Sequence, residues 1–413
     1  MRTVFCGRSS ERGVIFVQMA IVILVLMAFL VFVIDYGILW LSRGQAQNAA
    51  DAGALAGAIA RAYDDTANPP ANGGVAWQSA EQAAELNDVW DAPPVAQVSW
   101  NCPAGIVGSC VRVDAYRNGE FASAPLPMFF GALLNLNTQG VRATATALVA
   151  TANSTNCMRP FAVADKWAHV VNPVDRFDRW TQAGGNAVES NPHDTYTPPN
   201  ASGPGTGYTV AADKGTELVL VGGNNPNSSV GAVTPGWFLP VRLPDGNGGY
   251  VSGANLYSNA IETCIGNPVS IGQYLPTENG AMVGPTNQGV SNLIAQDPNA
   301  TWDTSANAVA NSCAPSCAPI SPRIVPITVF DMDEFQWRRA SGDWTSAWGS
   351  HPANPCPTGG RCVRVVNILG FFVVGQNGQD VIGRLAMYPG QFMLGAPQVG
   401  GGAGFLQTIQ LVR

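Results

Sequence analysis

Val14-Ile15-Phe16-Val17-Gln18-Met19-Ala20-Ile21-Val22-Ile23-Leu24-Val25-Leu26-Met27-Ala28-Phe29-Leu30-Val31-Phe32-Val33-Ile34 is a run of 21 residues in which Gln18 is the sole strongly polar side chain. As a helix it crosses about 30 Å of hydrocarbon. Apolar character persists to Leu41, and no proline intervenes before Pro69. Helical spacing therefore predicts one element from the span to about Tyr63, a helix of about 49 residues and roughly 74 Å. A cleaved signal peptide is the competing reading, since Arg2, Arg8 and Arg12 supply its basic start. Its apolar core would be shorter and followed by small residues, whereas bulky Ile38-Leu39-Trp40-Leu41 stands there. Residues 14–41 are thus expected to be a retained anchor behind a cytoplasmic head of residues 1–13. The three arginines ahead of the span, against Arg43 close behind it, place the N-terminus in the cytoplasm.

Composition narrows what lies beyond the span. Hydrophobic residues make up 46% of the 413, enough for a core, while charged residues make up only 12%. The net charge of −7 has no basic run behind it, and the lysines are Lys166 and Lys214. Nucleic acid is excluded as a partner on that ground, because phosphate neutralisation needs clustered Lys and Arg. The 46 Gly and 30 Pro favour an exported, loop-rich and β-rich region over a helical cytoplasmic enzyme. Of nine cysteines, Cys6 precedes the span and the other eight follow it. An even number in an oxidising compartment reads as a disulfide framework. Loop closure and turn residues favour Cys102–Cys110, Cys313–Cys317 and Cys356–Cys362, which leaves Cys157–Cys264. A metal site is disfavoured because His169, His193 and His351 do not pair at ligand spacing.

In the outer half of the long helix, Ala46, Ala50, Ala54 and Ala58 recur every four residues, as do Ala49, Gly53 and Gly57. This spacing stacks small side chains on one face, where another backbone can approach closely. The occupant is either a partner helix or the chain's own sheet. Asp35 sits near the outer end of the apolar run; it either marks the bilayer edge or contacts a partner's helix.

Arg12-Gly13, the apolar span, Asp35-Tyr36-Gly37 and Gln47-Asn48-Ala49-Ala50-Asp51-Ala52-Gly53-Ala54-Leu55-Ala56-Gly57-Ala58 together resemble the N-terminal domain of TadE/TadG-like Flp-pilus assembly proteins. Phe129-Phe130, the Ala143/Ala145/Ala147 strand, Pro322-Arg323-Ile324-Val325-Pro326 and Asn367-Ile368-Leu369-Gly370-Phe371-Phe372 are more loosely similar to longer members. The resemblance implies a bacterial envelope protein of the tight-adherence system that helps build or anchor a pilus, with other pilus-assembly or pilin subunits as partners of its N-terminal helix. Cleavage after Gly13 would leave Gln18 fifth, where prepilins carry Glu, so peptidase processing is not expected.

Residues 42–152 are expected to hold the helical extension and a pilin-like helix-on-antiparallel-sheet domain. Its parts are a helix over Ala76–Trp90 and strands at Val95–Trp100, Val111–Tyr116 and Val141–Thr151. Residues 153–413 are expected to form a β-rich exported domain, with strands at Thr216–Gly222, Trp237–Leu243, Arg323–Phe330, Val363–Gly375, Asp380–Met387 and Leu406–Val412. The fold class is α+β. No nucleophile elbow, Walker loop or zinc-protease pair occurs, so no catalytic residue or cofactor is assigned and the chain reads as non-enzymatic. Asp331-Met332-Asp333-Glu334 is either a solvated acidic loop or a calcium site, and Asp245-Gly246-Asn247-Gly248-Gly249 is a plain turn. Trp337, Trp344 and Trp348 are buried loop anchors or an exposed binding patch. A membrane-tethered hydrolase and a displayed adhesin remain the alternatives to an inner-membrane pilus-assembly component. Beyond membrane lipid, a small-molecule ligand is not identifiable.

Overall fold

The computed structural model describes residues 11–64, 70–106, 108–129, 131, 135, 137–170, 176–222 and 233–412. The head residues Arg2, Cys6 and Arg8, the breaker residues Asn68-Pro69, and Phe130 lie outside the described residues. The chain divides into two compact units, residues 1–149 with 409–413, and residues 150–408. The boundary expected at 152–153 thus lies slightly earlier, and the last five residues return to the first unit. They return because the final strand, Leu406–Val412, pairs beside the strand Val141–Thr151.

The first unit begins with α1, Glu11–Tyr63, a single helix of 53 residues. Its Gly13–Tyr63 stretch is long and apolar enough to cross a membrane, and its most apolar window is wholly unburied. A signal sequence would share that property, which is one of length and composition. The buried face starts at Asp35 and continues through Ile38, Ser42, Ala46, Ala49, Ala50, Gly53, Ala54, Gly57 and Ala58. Steps of three and four residues keep these positions on one side of the helix.

Against that side pack α2 (Val75–Glu85) and the antiparallel strands β1 (Val95–Ser99), β2 (Ser109–Arg117), β3 (Leu126–Pro127), β4 (Thr138–Gln139) and β5 (Val141–Thr151). β2 pairs with both β1 and β5, and β3 pairs with β4. Alternation points Val111, Val113 and Ala115 of β2 and Ala143, Ala145 and Ala147 of β5 into one core with the α1 alanines. The seam occupant is therefore this chain's own helix and sheet. A Cβ on Gly53 would stand 2.8 Å from the Ala80 carbonyl oxygen and 2.9 Å from the Ala84 Cβ. One on Gly57 would stand 2.7 Å from the Ala80 Cβ and 2.8 Å from Val111 Cγ1. Glycine is required at both positions by contact, which offsets its cost inside a helix of about 1 kcal/mol.

α2 stops at Glu85, short of the expected Trp90. The Leu86 N–H bonds back to Gln82, and the Asn87 side-chain amide donates to the Ala83 carbonyl. Trp90 and Asp91 then take left-handed backbone, at φ 51° and 56°. That turn aims the Trp90 N–H at Gln45 Oε1, 2.9 Å away.

The second unit is built on a mixed seven-stranded sheet whose long strand, Cys362–Asn377, pairs with Ile324–Phe330 and Asp380–Ala386. Asn367 to Val373 are buried without alternation, as in a strand covered on both faces. Phe161–Ala164 joins parallel to Ile324–Phe330, and Phe238–Pro240 lies beyond it. The structure joins Cys102 to Cys110, Cys157 to Cys264, Cys313 to Cys317 and Cys356 to Cys362, with Cα separations of 5.2, 4.7, 5.5 and 5.4 Å. Polar pins supplement them. Arg323, 4% exposed, donates to the carbonyls of Asp297, Ala300, Val373 and Val374. Asp297 in turn accepts from Ser312, Ser321 and the Cys313 N–H.

Replacing Gly57 by Leu should destabilise the first unit by about 1–3 kcal/mol through overpacking. Denaturant unfolding of the full chain in detergent measures it against Ile59→Leu, on the 51% exposed opposite side of α1. Equal stability of the two variants would contradict the packing described.

Candidate functional site

Asp35 is the first carboxylate after the apolar run, yet it is 6% exposed and bonded within the chain. Its Oδ1 accepts the Phe129 N–H at 3.0 Å and its Oδ2 the Gly131 N–H at 2.8 Å. The Gln139 side-chain amide reaches the Asp35 carbonyl and that of Pro127. Charge-assisted bonds to backbone amides are each worth about 1.5–3 kcal/mol. Asp35 therefore clasps the connection between β3 and β4 onto α1, a role that neither sequence reading of it contained. Beside it, α1 exposes Phe32, Tyr36 and Trp40: Phe32 stacks on Tyr36 at a centroid distance of 5.6 Å, and Trp40 lies tilted to Tyr36 at 6.5 Å. Gln18 is exposed on the apolar half.

The other concentration of chemistry is in the second unit. Asp331-Met332-Asp333-Glu334 is neither a loop nor solvated. Asp331 caps the helix Met332–Ser341 by accepting the Glu334 N–H, and all four residues are buried. Gly342 ends that helix in left-handed backbone at φ 69°. Glu334 receives Arg338 at 2.7 Å and Tyr274 at 3.1 Å on Oε1, and the His351 Nδ1 at 2.7 Å on Oε2. Asp331 faces Arg364 at 3.5 Å. Asp333 accepts Arg179 and the Trp180 indole, each at 2.6 Å, while Gln336 accepts the N–H groups of the same two residues.

Asp331, Glu334 and His351 bring one donor atom each within 4.8 Å of one another, the spacing a metal ion needs. An incoming dication would meet the Arg338 and Arg364 guanidiniums already seated on those carboxylates. The donor set is thus matched by cations of the chain, and it acts as an ion network fixing the helix to its neighbours. Burial raises Glu334, yet His351 and Arg338 hold its carboxyl below the ordinary value. Burial pushes Asp331 up to about 6, with the Glu334 charge adding to it.

Asp165, which no sequence motif marks, is fully buried nearby in chemistry if not in sequence. It accepts the N–H groups of Lys166 and Tyr208 and the Tyr196 hydroxyl. Burial pushes it up to about 7 despite those three bonds. At Asp245, Oδ1 accepts the Asn247 and Gly249 N–H groups, which is an Asx turn. Trp344 packs on Phe335 under Arg361, and Trp337 lies beside Trp348, which contacts His351. The three tryptophans therefore clamp the loop that follows the helix.

Asp165 sets a pH dependence with a definite sign. Its ordinary value is 3.8 and its folded value about 7, so between them the unfolded chain ionises while the folded chain keeps its proton. Stability of the second unit should fall as pH rises through that window, by up to about 1.4 kcal/mol per pH unit, and level off above it. Asp165→Asn should reduce the slope between about pH 6 and 7, to which Asp331, pushed up to about 6, contributes the remainder. Denaturant unfolding across pH measures this, and an unchanged slope in the variant would contradict it.

No match to the chain was found among curated proteins or among solved structures. Residues 13–62, which carry the apolar run, Asp35 and the small-residue face, match the Tad family, described as "Putative Flp pilus-assembly TadE/G-like".

Proposed function

We propose that this chain is a non-enzymatic, membrane-anchored component of a tight-adherence pilus system, acting in assembly or as a minor pilin-like subunit. The observation that carries the reading is that the segment matching the Tad family is one uninterrupted helix: apolar and exposed at the described residues from Val14 to Ile34, and the core of a helix-on-sheet unit over its second half. That arrangement is pilin-like in plan. The basic residues ahead of the span and the disulfides behind it support a cytoplasmic N-terminus and an exported bulk, in a single pass of a bacterial inner membrane. The carboxylates of the second unit serve as helix cap, ion-pair partners and loop pins, which supports a structural role for them over catalysis.

The small-residue face is occupied within the chain, so the contact with other pilus subunits falls to the apolar half of α1. Without a hydrophobic driving force between helices in lipid, such contacts rely on packing and interhelical polar groups, for which Gln18 is available in this segment. Photo-crosslinking in the native cell tests this, with the reactive residue placed at Phe16, Gln18 or Leu24. Capture of pilus-assembly proteins or pilin from these sites is the expected result. Normal piliation in a strain lacking the chain, with no pilus component captured, would overturn it.

A further inference from the structure

The end of the first unit that faces the apolar half of α1 presents aromatic side chains below the exposed carboxylates of Glu85, Asp88 and Asp91. α2 runs antiparallel to α1: the Gly57 position faces Ala76 and Ala80, and the Gly53 position faces Ala80 and Ala84. The C-terminal end of α2 is therefore nearest the span. There Leu86 is 85% exposed, and Trp90 is bonded through its N–H to Gln45. The Trp90 ring stands edge-on to Phe129 at 6.4 Å, and Phe129 is 58% exposed although its N–H is held by Asp35. Tyr36 and Trp40, 52% and 71% exposed, complete the set from α1 itself.

Tyr36 and Phe129, whose N–H is held by Asp35, lie at the outer end of the 21-residue apolar run, and Trp40 stands about 7.5 Å beyond Asp35 along the helix. Trp90 hangs from the level of Gln45, about 15 Å beyond Asp35, with its ring directed at Phe129, while Leu86 lies higher, opposite Ala49. The apolar run fills the hydrocarbon thickness, so the ring set begins at the level of the lipid headgroups, where amphipathic aromatic rings are favoured. We propose that Tyr36, Trp40, Trp90 and Phe129 form a collar that inserts into the bilayer interface, seating the first unit on the membrane in a fixed orientation. The occupant is phospholipid. The continuity of the collar with the membrane span argues for it, and a protein partner on the same surface is what the test excludes. Asp35 fits the same account. At the hydrocarbon edge its carboxylate is satisfied by two backbone N–H groups, and the bonds that satisfy it hold Phe129 at that depth.

The inference rests on the reading of α1 as a membrane span, and one experiment separates the two. The full chain carrying Cys6→Ser is labelled with an environment-sensitive fluorophore at one new cysteine: Leu24→Cys, Phe129→Cys, Trp90→Cys or Val75→Cys. Val75 is 54% exposed at the opposite end of α2. Each protein is reconstituted in phosphatidylcholine–phosphatidylglycerol vesicles with nitroxide lipids labelled near the headgroup or deep in the acyl chain. Deep nitroxide should quench the probe at Leu24. Shallow nitroxide should remove more than half the emission at Phe129 and Trp90 and leave Val75 unchanged. Trp90, whose bond to Gln45 is made by its backbone, decides the matter if the change at Phe129 impairs folding. Quenching at Leu24 with Phe129 and Trp90 behaving like Val75 would overturn the collar and leave the anchor standing. A blue-shifted but unquenched probe at the collar would assign the surface to protein and likewise overturn it. No quenching at Leu24 either would remove both.

Discussion

The approach of α1 to α2 and β2 at Gly53 and Gly57 is the constraint on which the first unit depends. Any side chain at either glycine would enter the space of Ala80, Ala84, Val111 or Val113. The small residues of α2 and of β5 are counterparts of that demand, since bulk on either side would push α1 away. Because the helix that accepts this packing is also the apolar one, the stretch long enough to cross a membrane and the folded core share a single backbone. Asp35 marks the changeover. Ahead of it the helix presents apolar side chains on every described side; from it onward one face is covered by the chain.

The second unit solves a different problem, that of ordering long Gly- and Pro-rich connections. Disulfides close several of them, but buried charge does as much. Arg323 reaches four backbone carbonyls, Asp297 gathers Ser312, Ser321 and Cys313, and the Asp331–Glu334 turn fastens one helix to Arg364, His351 and Tyr274. Buried polar groups of this kind are costly unless satisfied, so each network specifies one arrangement of the loops it holds. At Asp165, as at Asp331, burial favours the protonated form although the carboxyl is well bonded.

Much of the first unit was legible because its signals are periodic. Apolar length announces α1, four-residue spacing of Ala and Gly announces its contact face, and two-residue alternation announces β2 and β5. Cysteine neighbours separated by turn residues mark the local disulfides. What escaped were partners distant in sequence. Nothing local says that Asp35 bonds to Phe129 and Gly131, or that Gln45 receives Trp90 and ends the approach of α2. An acidic run such as Asp331–Glu334 reads as a solvated loop until Arg338, Arg364 and His351 arrive from elsewhere. In that case the cap signature, Asp331 followed three residues later by Glu334, was present and went unread. Asp165 carries no motif because its environment is assembled from Tyr196 and Tyr208, 31 and 43 residues away.

The central claim is that one unbroken helix joins membrane span and folded core. Amide hydrogen exchange of the full chain in lipid nanodiscs tests it most directly, because exchange reports local opening along the backbone. The account predicts slow exchange running without interruption from Asp35 through Leu41, Gly44 and Gln45 to Ala60. Fast exchange confined to residues 41–46, between two protected stretches, would reveal a hinge there and contradict it.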